Sequence, residues 1–226
     1  LEFAKSFINL DNAELTAVAS TSHKKLAKFK QKFNIKNENL FNKYEKLIED
    51  ENIDIVYIAL PNTLHFDWVF KNVEKNKNIL IEKPAFLNSK EAKIIFNHHN
   101  FKNIFFNEGF MYRFHPQILE VIKIIQSKVI GKPISMESNF GINILNKGKF
   151  FGLFKKKIDK NNRLFNKRLG GGVIYDLGCY TTSMSLFIAS MIENVKIENF
   201  KISNIETQYI DSSVDIHSIA EINFDE

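Results

Sequence analysis

Cysteine and long apolar runs are nearly absent from this sequence. A single cysteine, Cys179, occurs among 226 residues, which excludes an intramolecular disulfide and a cysteine-rich zinc site. The longest uncharged stretch, residues 177–192, is interrupted by five serine and threonine residues and is shorter than the roughly 20 apolar residues that span a membrane. We therefore expect no metal site, no membrane partner, and a reducing compartment, which by default is the cytoplasm.

Acidic residues are scarce in one segment. Residues 145–168 hold nine lysines and arginines against Asp159 alone, a local charge of +8 in a chain whose net charge is +5. A nucleic-acid interface would combine such a patch with stacking aromatic residues on a recognised fold. We prefer the simpler interpretation, a solvated loop near an anionic ligand, and expect no nucleic-acid partner.

The first half of the chain alternates short apolar runs with helical patterns. Strands are predicted at 15–19, 54–60, 78–81 and 103–106, and helices at 23–33, 43–50, 63–75 and 89–99, the last with Ser89 as N-cap. This alternation predicts βαβ units and a doubly wound parallel sheet.

The second half has a different pattern. It predicts helices at 115–127 and 173–190 and strands at 134–140, 195–205 and 214–224, the last two antiparallel. The fold class is therefore α/β, with an N-terminal doubly wound domain at residues 1–110 and an α+β domain with an open, mainly antiparallel sheet at residues 111–226.

Glycine is missing from the first 108 residues, since all nine glycines lie at or after Gly109. A dinucleotide-binding domain normally has a glycine-rich turn between its first strand and first helix, where the backbone approaches the pyrophosphate. Residues 1–8 resemble the end of a helix whose preceding strand is missing, and residues 220–226 stop inside a strand-like run. We expect the sequence to be an internal fragment in which both domains are incomplete.

Four motifs follow one another along the chain. They are LPNTLH at 60–65 and EKP at 82–84, each closing a predicted strand, then EGFMYRFHP at 108–116 and GGGVIYDLGCY at 170–180. In an open α/β sheet, ligands bind outside the carboxyl ends of the strands. The first two motifs lie at such ends.

This ordered set resembles the Gfo/Idh/MocA family of nicotinamide-dependent oxidoreductases over nearly the whole chain. The resemblance implies an N-terminal Rossmann domain and a C-terminal substrate-binding domain whose sheet often forms homo-oligomers. Many members have His where this sequence has Tyr180. The DLGCY form is more similar to the branch of glucose-fructose oxidoreductase and dimeric dihydrodiol dehydrogenase.

The resemblance and the chemistry point to three catalytic residues. Hydride transfer needs a group that gives or takes the hydroxyl proton, and Asp176 and Tyr180 are four residues apart on one helix face. We assign the proton step to Tyr180, and assign Lys83 as an electrostatic partner that lowers the pKa of the tyrosine. Asp176 is assigned as a substrate hydrogen-bond acceptor, with a structural role in the glycine-rich turn as the alternative.

The cofactor is predicted from the residues after the second strand of the Rossmann domain, which is the predicted strand at 15–19 because the domain's first strand is expected to be missing. The segment from Ser20 to Lys25 has no acid to bind a ribose 2′-hydroxyl, and its hydroxyl and basic groups suit a 2′-phosphate. NADP is therefore favoured over NAD. The residues assigned to cofactor binding are Ser20, Thr21, Lys24, Pro61, Asn62, His65, Glu82, Lys83 and Arg113. For His65, a capping or packing role is the alternative.

We thus expect an oxidoreductase that transfers a hydride between NAD(P) and a sugar, polyol, cyclic diol or related carbonyl compound. Its partners would be this small substrate and other copies of the chain. The alternatives are a non-catalytic regulator of the same fold that binds dinucleotide or sugar, and an inactive fragment.

Arg163 matches an arginine that the family often has before its triple glycine. An exposed loop arginine is the other interpretation.

Overall fold

Strands alternate with helices through the first half of the chain, as the sequence predicts. The computed structural model describes residues 2–143, 159, 162–210 and 214–225. Its first five strands are β1 (Val18–Ala19), β2 (Leu40–Phe41), β3 (Ile55–Ile58), β4 (Asn78–Ile81) and β5 (Phe106–Glu108). The helices among them are α1 (Glu2–Ser6), α2 (His23–Phe33), α3 (Tyr44–Glu49), α4 (His65–Glu74) and α5 (Ser89–Phe96).

These strands form the Rossmann-like part of the fold. β1 pairs with β2 in parallel, and β3, β4 and β5 are neighbours in that order in a second sheet, with α4 and α5 as the crossover helices. Five of the described apolar side chains have no exposed surface: Val69, Val73, Ile79, Ile81 and Ile95. They come from α4, β4 and α5, so the apolar stripes of the two helices and the centre of β4 form the core, as their periodicity predicts.

The second half contains α6 (Pro116–Gln126), a π-turn (Ile174–Gly178) that runs directly into α7 (Cys179–Ala189), and the strands β6 (Phe200–Ile210) and β7 (Val214–Phe224). β6 and β7 pair antiparallel, with Phe200 opposite Phe224 and Ile210 opposite Val214. Two shifts of register interrupt the ladder, and such irregularities increase the local twist. The predicted antiparallel pair is confirmed, although its first strand runs over Phe200–Ile210 and not over residues 195–205.

Two predicted strands are placed differently. Residues 134–140 have no regular structure, and Ile134 is 97% exposed. Among the described residues no strand pairs with this segment, so its apolar pattern has no sheet to join. The strand expected at 103–106 begins only at Phe106, because residues 99–103 form a 3₁₀ turn.

Most of the basic segment lies outside the described residues. Six of its nine basic side chains are not described, namely Lys147, Lys149, Lys155, Lys156, Lys157 and Lys160. The prediction of a solvated basic loop therefore stays a prediction for them. Arg163, Lys167 and Arg168 are described, and all three are exposed.

The chain divides into two units. The first comprises Leu1–Ile58, Phe66–Leu80 and Ala92–Asn107, and the second Ala59–His65, Ile81–Glu91 and Glu108–Glu226. The units alternate along the chain, whereas the sequence analysis places one boundary near residue 110, and that boundary stays a prediction. None of the helices within the described ranges is both long and apolar enough to cross a membrane.

Helix α5 is capped by Asn88 and not by Ser89, which corrects the sequence-based assignment. The Asn88 Oδ1 atom accepts hydrogen bonds from the backbone N–H groups of Lys90 and Glu91 at 3.1 and 3.0 Å. The Glu91 carboxylate returns to the backbone N–H of Leu87 at 3.0 Å. Ser89 is already the first helical residue. Asparagine and serine are equally good caps, so the sequence of two adjacent candidates does not decide between them.

This cap gives the first prediction. We expect Asn88→Ala to lower the free energy of unfolding by about 1 kcal/mol, because two N–H groups of the first turn lose their acceptor. The matched control is Ser89→Ala, which we expect to change stability by at most a few tenths of that amount. Urea unfolding followed by circular dichroism measures both. A larger loss for Ser89→Ala would show that the serine is the cap.

Candidate active site

Lys83 lies two residues after the end of β4 and reaches the middle of the π-turn. Its Nζ atom donates a hydrogen bond to the backbone carbonyl oxygen of Asp176, and it lies 3.4 Å from Oδ1 of the Asp176 side chain. The two side chains are only 13% and 19% exposed. A largely buried ammonium needs such partners, since an unpaired buried charge is strongly destabilising. The fold therefore brings together two of the three predicted catalytic residues, Lys83 and Asp176, which are 93 positions apart in the sequence.

Tyr180 completes this group. The Lys83 Nζ atom lies 4.7 Å from the centroid of the Tyr180 ring, within the range of a cation–π interaction. The ring also contacts three other aromatic rings, those of Phe110, Tyr112 and Phe140, at centroid distances of 5.6, 6.1 and 5.3 Å. Within the described ranges the Tyr180 hydroxyl makes no hydrogen bond, so that group is free to contact a substrate.

The pKa of Tyr180 is raised, whereas the sequence analysis expects it to be lowered by Lys83. Partial burial is the main cause, and the negative charges of Glu82 and Asp176 and the neighbouring Cys179 act in the same direction. Lys83 does not reverse this, because its charge lies over the face of the ring and is paired with Asp176. The expected direction is thus wrong. The phenol keeps its proton at neutral pH.

A second cation contacts Asp176. The Arg163 guanidinium donates to the same Oδ1 atom from 3.1 Å, so one carboxylate oxygen is shared by Lys83 and Arg163. The Arg163 side chain is 52% exposed, which limits the energy of this pair. The arrangement places Arg163 beside the three predicted catalytic residues and not in a distant solvated loop.

The π-turn that carries Asp176 is fixed by a residue that the sequence analysis missed. Oδ2 of Asp215, near the start of β7, accepts a hydrogen bond from the backbone N–H of Ile174 at 2.6 Å. Gly172 makes this approach possible: it has a φ of +116°, and a Cβ atom there would lie 2.1 Å from Oδ1 of Asp215. The glycine was visible in the sequence, but nothing in the pattern around Asp215 pointed to its partner.

Asn62 and His65 are buried and hold backbone atoms. The Asn62 side-chain amide donates to the carbonyl oxygen of Gly170 at 3.2 Å. The His65 ring has no exposed surface, and its two nitrogens lie 2.8 and 2.9 Å from the carbonyl oxygens of Pro84 and Leu60. No ring nitrogen is left for a cofactor, which favours the packing alternative for His65.

Arg113 is tied to helix α7. Its guanidinium donates to the buried Ser183 hydroxyl at 3.0 Å and lies 4.9 Å from the centroid of the Phe187 ring. The Tyr112 hydroxyl makes a second hydrogen bond to Ser183 at 2.9 Å. Ser183 thus joins the EGFMYRFHP segment to the helix that carries Tyr180, a link with no signal in the sequence.

The predicted cofactor residues of the first unit surround the start of α2. Ser22 caps this helix by accepting from the backbone N–H of Lys25 at 3.4 Å, and Ser20 accepts from the N–H of Ser22 at 3.2 Å. Thr21, Lys24 and Lys25 are exposed. The segment offers hydroxyls and ammonium groups and no carboxylate.

Comparison with protein families identifies the chain. Residues 2–108 match the model described as "Oxidoreductase family, NAD-binding Rossmann fold", and residues 118–224 match the "GFO/IDH/MocA C-terminal domain". The chain belongs to the Gfo/Idh/MocA oxidoreductase family. Within the described ranges, no cluster of three or more histidine, cysteine, aspartate or glutamate side chains could hold a metal ion.

Two curated relatives illustrate the similarity. The chain is 32% identical over 151 residues to an NADP⁺-dependent D-xylose 1-dehydrogenase of Haloferax volcanii, covering 66% of this chain and 42% of that protein. It is 30% identical over 167 residues to a trans-1,2-dihydrobenzene-1,2-diol dehydrogenase of Xenopus tropicalis, covering 74% of this chain and 46% of that protein. The chain therefore spans less than half the length of these relatives.

Solved structures show the same fold. A 3-ketoreductase from Actinomadura kijaniata, crystallised with TDP-benzene and NADP, superposes with a TM-score of 0.77 at 21% identity, over 98% of this chain and 61% of that one. An NAD-binding protein from Listeria innocua superposes with a TM-score of 0.76 at 24% identity, over 99% of this chain and 59% of that one. The Rossmann-like sheet with a C-terminal antiparallel sheet is thus the fold predicted from the sequence.

The contact between Asp215 and the π-turn gives the second prediction. We expect Asp215→Ala to lower the free energy of unfolding by about 1 to 2 kcal/mol, since the N–H of Ile174 loses a charged acceptor. Asp225→Ala is the matched control, because Asp225 is exposed just beyond the far end of β7. Thermal and urea unfolding measure both variants. Equal effects of the two substitutions would refute the capping role of Asp215.

Proposed function

We propose that the protein is a nicotinamide-dependent oxidoreductase that transfers a hydride to or from a carbon bearing a hydroxyl group in a sugar, polyol or cyclic diol. The observation that carries this proposal is the Lys83 ammonium, held between Asp176 and the Tyr180 ring by residues of the second unit. A paired cation beside an unbonded phenol can bind and protonate a substrate oxygen.

The residues divide the work as follows. The bound dinucleotide supplies the hydride chemistry. Tyr180 donates its proton to the carbonyl oxygen in the reductive direction, and its raised pKa keeps that proton on the phenol at neutral pH until the transfer. Lys83 stabilises the negative charge that develops on that oxygen, and Asp176 holds Lys83 and accepts from a second substrate hydroxyl.

The substrate class is supported by the relatives. The similar proteins of Haloferax volcanii and Xenopus tropicalis are named as dehydrogenases of D-xylose and of a cyclic diol, which share a hydroxyl-bearing carbon. We propose the same class here.

The other partner would be a second copy of the chain, through the sheet of β6 and β7, whose surface exposes Phe200, Ile202 and Tyr209. The cytoplasm is the proposed location.

The proposed cofactor is NADP, bound at its 2′-phosphate by the Ser20 to Lys25 segment. Pro61, Asn62, Glu82 and Arg113 remain proposed contacts elsewhere on the dinucleotide. The support for NADP is the absence of an acid after β1 and the exposed Thr21, Lys24 and Lys25 at the start of α2. Two D-xylose 1-dehydrogenases among the relatives carry NADP⁺ in their names.

The third prediction tests this choice of cofactor. The complete protein should bind NADPH more tightly than NADH, and replacing Lys24 and Lys25 together by Gln should reduce the difference by about 1 to 3 kcal/mol. Replacing Lys30 and Lys32, at the other end of α2, is the control of equal charge and should leave the preference unchanged. Fluorescence titration with each nucleotide measures the dissociation constants. A preference for NADH in the unmodified protein would reject the proposal.

The fourth prediction tests the proton step. Tyr180→Phe should reduce kcat by about 10²- to 10⁴-fold with little change in cofactor affinity, and Lys83→Met should cost at least as much. Because the two residues act as one unit, the losses should not add in the double variant. Asp176→Asn should lower kcat as well as raise KM, since it weakens the pair that holds Lys83.

The measurement is steady-state kinetics of the complete protein with aldoses, polyols and cyclic diols. Tyr175→Phe is the matched control: its hydroxyl bonds to the carbonyl oxygen of Leu87, and we expect a change of kcat far below that of Tyr180→Phe. Near-normal kcat for Tyr180→Phe would remove Tyr180 from the proton step and make Lys83 the leading candidate. Normal kcat for both Tyr180→Phe and Lys83→Met would leave a binding protein as the better description.

A further inference from the structure

His65 is buried with both ring nitrogens next to backbone carbonyl oxygens, so neither nitrogen can exchange a proton with a ligand. Its ring has no exposed surface, and burial lowers the pKa of the imidazole. Both nitrogens face backbone carbonyl oxygens, Nδ1 that of Pro84 at 2.8 Å and Nε2 that of Leu60 at 2.9 Å. The neutral ring carries a single N–H, and in the tautomer with the proton on Nδ1 the donated hydrogen bond goes to Pro84. A buried polar ring of this kind contributes through the backbone atoms that it fixes.

Glu108, the last residue of β5, contacts the backbone of the residue that follows Pro84. Its Oε1 atom accepts a hydrogen bond from the backbone N–H of Ala85 at 2.7 Å. The residue is half-buried, and this burial raises the pKa of its carboxyl group. The backbone directly after Lys83 is therefore held at two consecutive residues, by His65 at Pro84 and by Glu108 at Ala85.

We propose that His65 and Glu108 are positioning residues, which clamp the Pro84–Ala85 backbone and thereby hold the Lys83 ammonium against Asp176 and the Tyr180 ring. The proposal rests on the function proposed above. The Lys83 side chain is long and flexible, and its place over the Tyr180 ring depends on where its backbone starts. A displacement of about 1 Å at a catalytic group can cost about 10²-fold in rate.

The clamp differs from a general contribution to folding in what it predicts for conservative variants. Glu108→Gln keeps an oxygen acceptor for Ala85, whereas Glu108→Met has a similar length and no such acceptor. At position 65, Asn places an amide N–H close to where Nδ1 lies, whereas Leu has no donor for Pro84. Each pair contains one variant that preserves the backbone contact and one that removes it.

We expect Glu108→Met and His65→Leu to lower kcat by about 10- to 100-fold with a much smaller change in KM. Glu108→Gln and His65→Asn should stay within a few-fold of the normal kcat. The reactivity of Lys83 provides a readout that does not depend on turnover. Trace acetylation followed by peptide mass spectrometry should show faster labelling of Lys83 in the two disrupted variants, while the exposed Lys123 is labelled at an unchanged rate.

The outcomes separate this proposal from the proposed function. Unchanged labelling of Lys83 in Glu108→Met, with the variant folded by circular dichroism, would overturn the clamp even if Lys83→Met abolishes activity. If Lys83 is labelled faster in Glu108→Met while the separate Lys83→Met variant remains fully active, the clamp is supported and the catalytic role of Lys83 is rejected. If His65→Leu does not fold, the two Glu108 variants decide the question. Equal loss of kcat in Glu108→Gln and Glu108→Met would also refute the clamp.

Discussion

The buried ammonium of Lys83 is the constraint on which the site depends. Removing a charge from water costs several kcal/mol unless partners replace the lost hydration. Here the partners are the Asp176 carbonyl oxygen, the Asp176 carboxylate and the face of the Tyr180 ring. They come from a π-turn and a helix that begin some 90 residues after β4. The end of β4, the π-turn and α7 must therefore keep one fixed arrangement.

The glycine-rich segment before α7 stabilises this arrangement, because it leaves room for a carboxylate to reach the backbone of the π-turn. Gly172 adopts a positive φ and leaves room for the Asp215 carboxylate, which would collide with any Cβ atom there. That carboxylate binds the first N–H of the π-turn, and Asp176 follows two residues later. π-turns are rare and concentrate at functional sites. In this chain the turn carries the carbonyl oxygen that binds Lys83, so an uncommon backbone geometry and the pairing of a charge occur at one residue.

What the sequence predicts well is local. The bounds of α2 (23–33) and β4 (78–81) agree with the prediction because helical and strand periodicity are properties of a short window. The family resemblance, and not a local pattern, placed Lys83 together with Asp176 and Tyr180. The pKa direction of Tyr180, the contacts of Asp215 and Ser183, and the absence of a strand at 134–140 were not predictable, since each depends on a neighbour far away in sequence. Asn88 shows the same limit over one residue, because two adjacent side chains can both cap a helix.

The charged Lys83 and the protonated Tyr180 are compatible, because Lys83 contacts the face of the Tyr180 ring and not its hydroxyl group. A cation over the face of an aromatic ring is attracted by the ring quadrupole whether or not the hydroxyl is ionised. Burial meanwhile raises the pKa of the phenol, and it raises that of the neighbouring Cys179 thiol to about 11. The thiol is therefore protonated at neutral pH and is a poor nucleophile. The site combines one paired cation with neutral groups that hold their protons, which is the protonation state that reduction of a carbonyl requires.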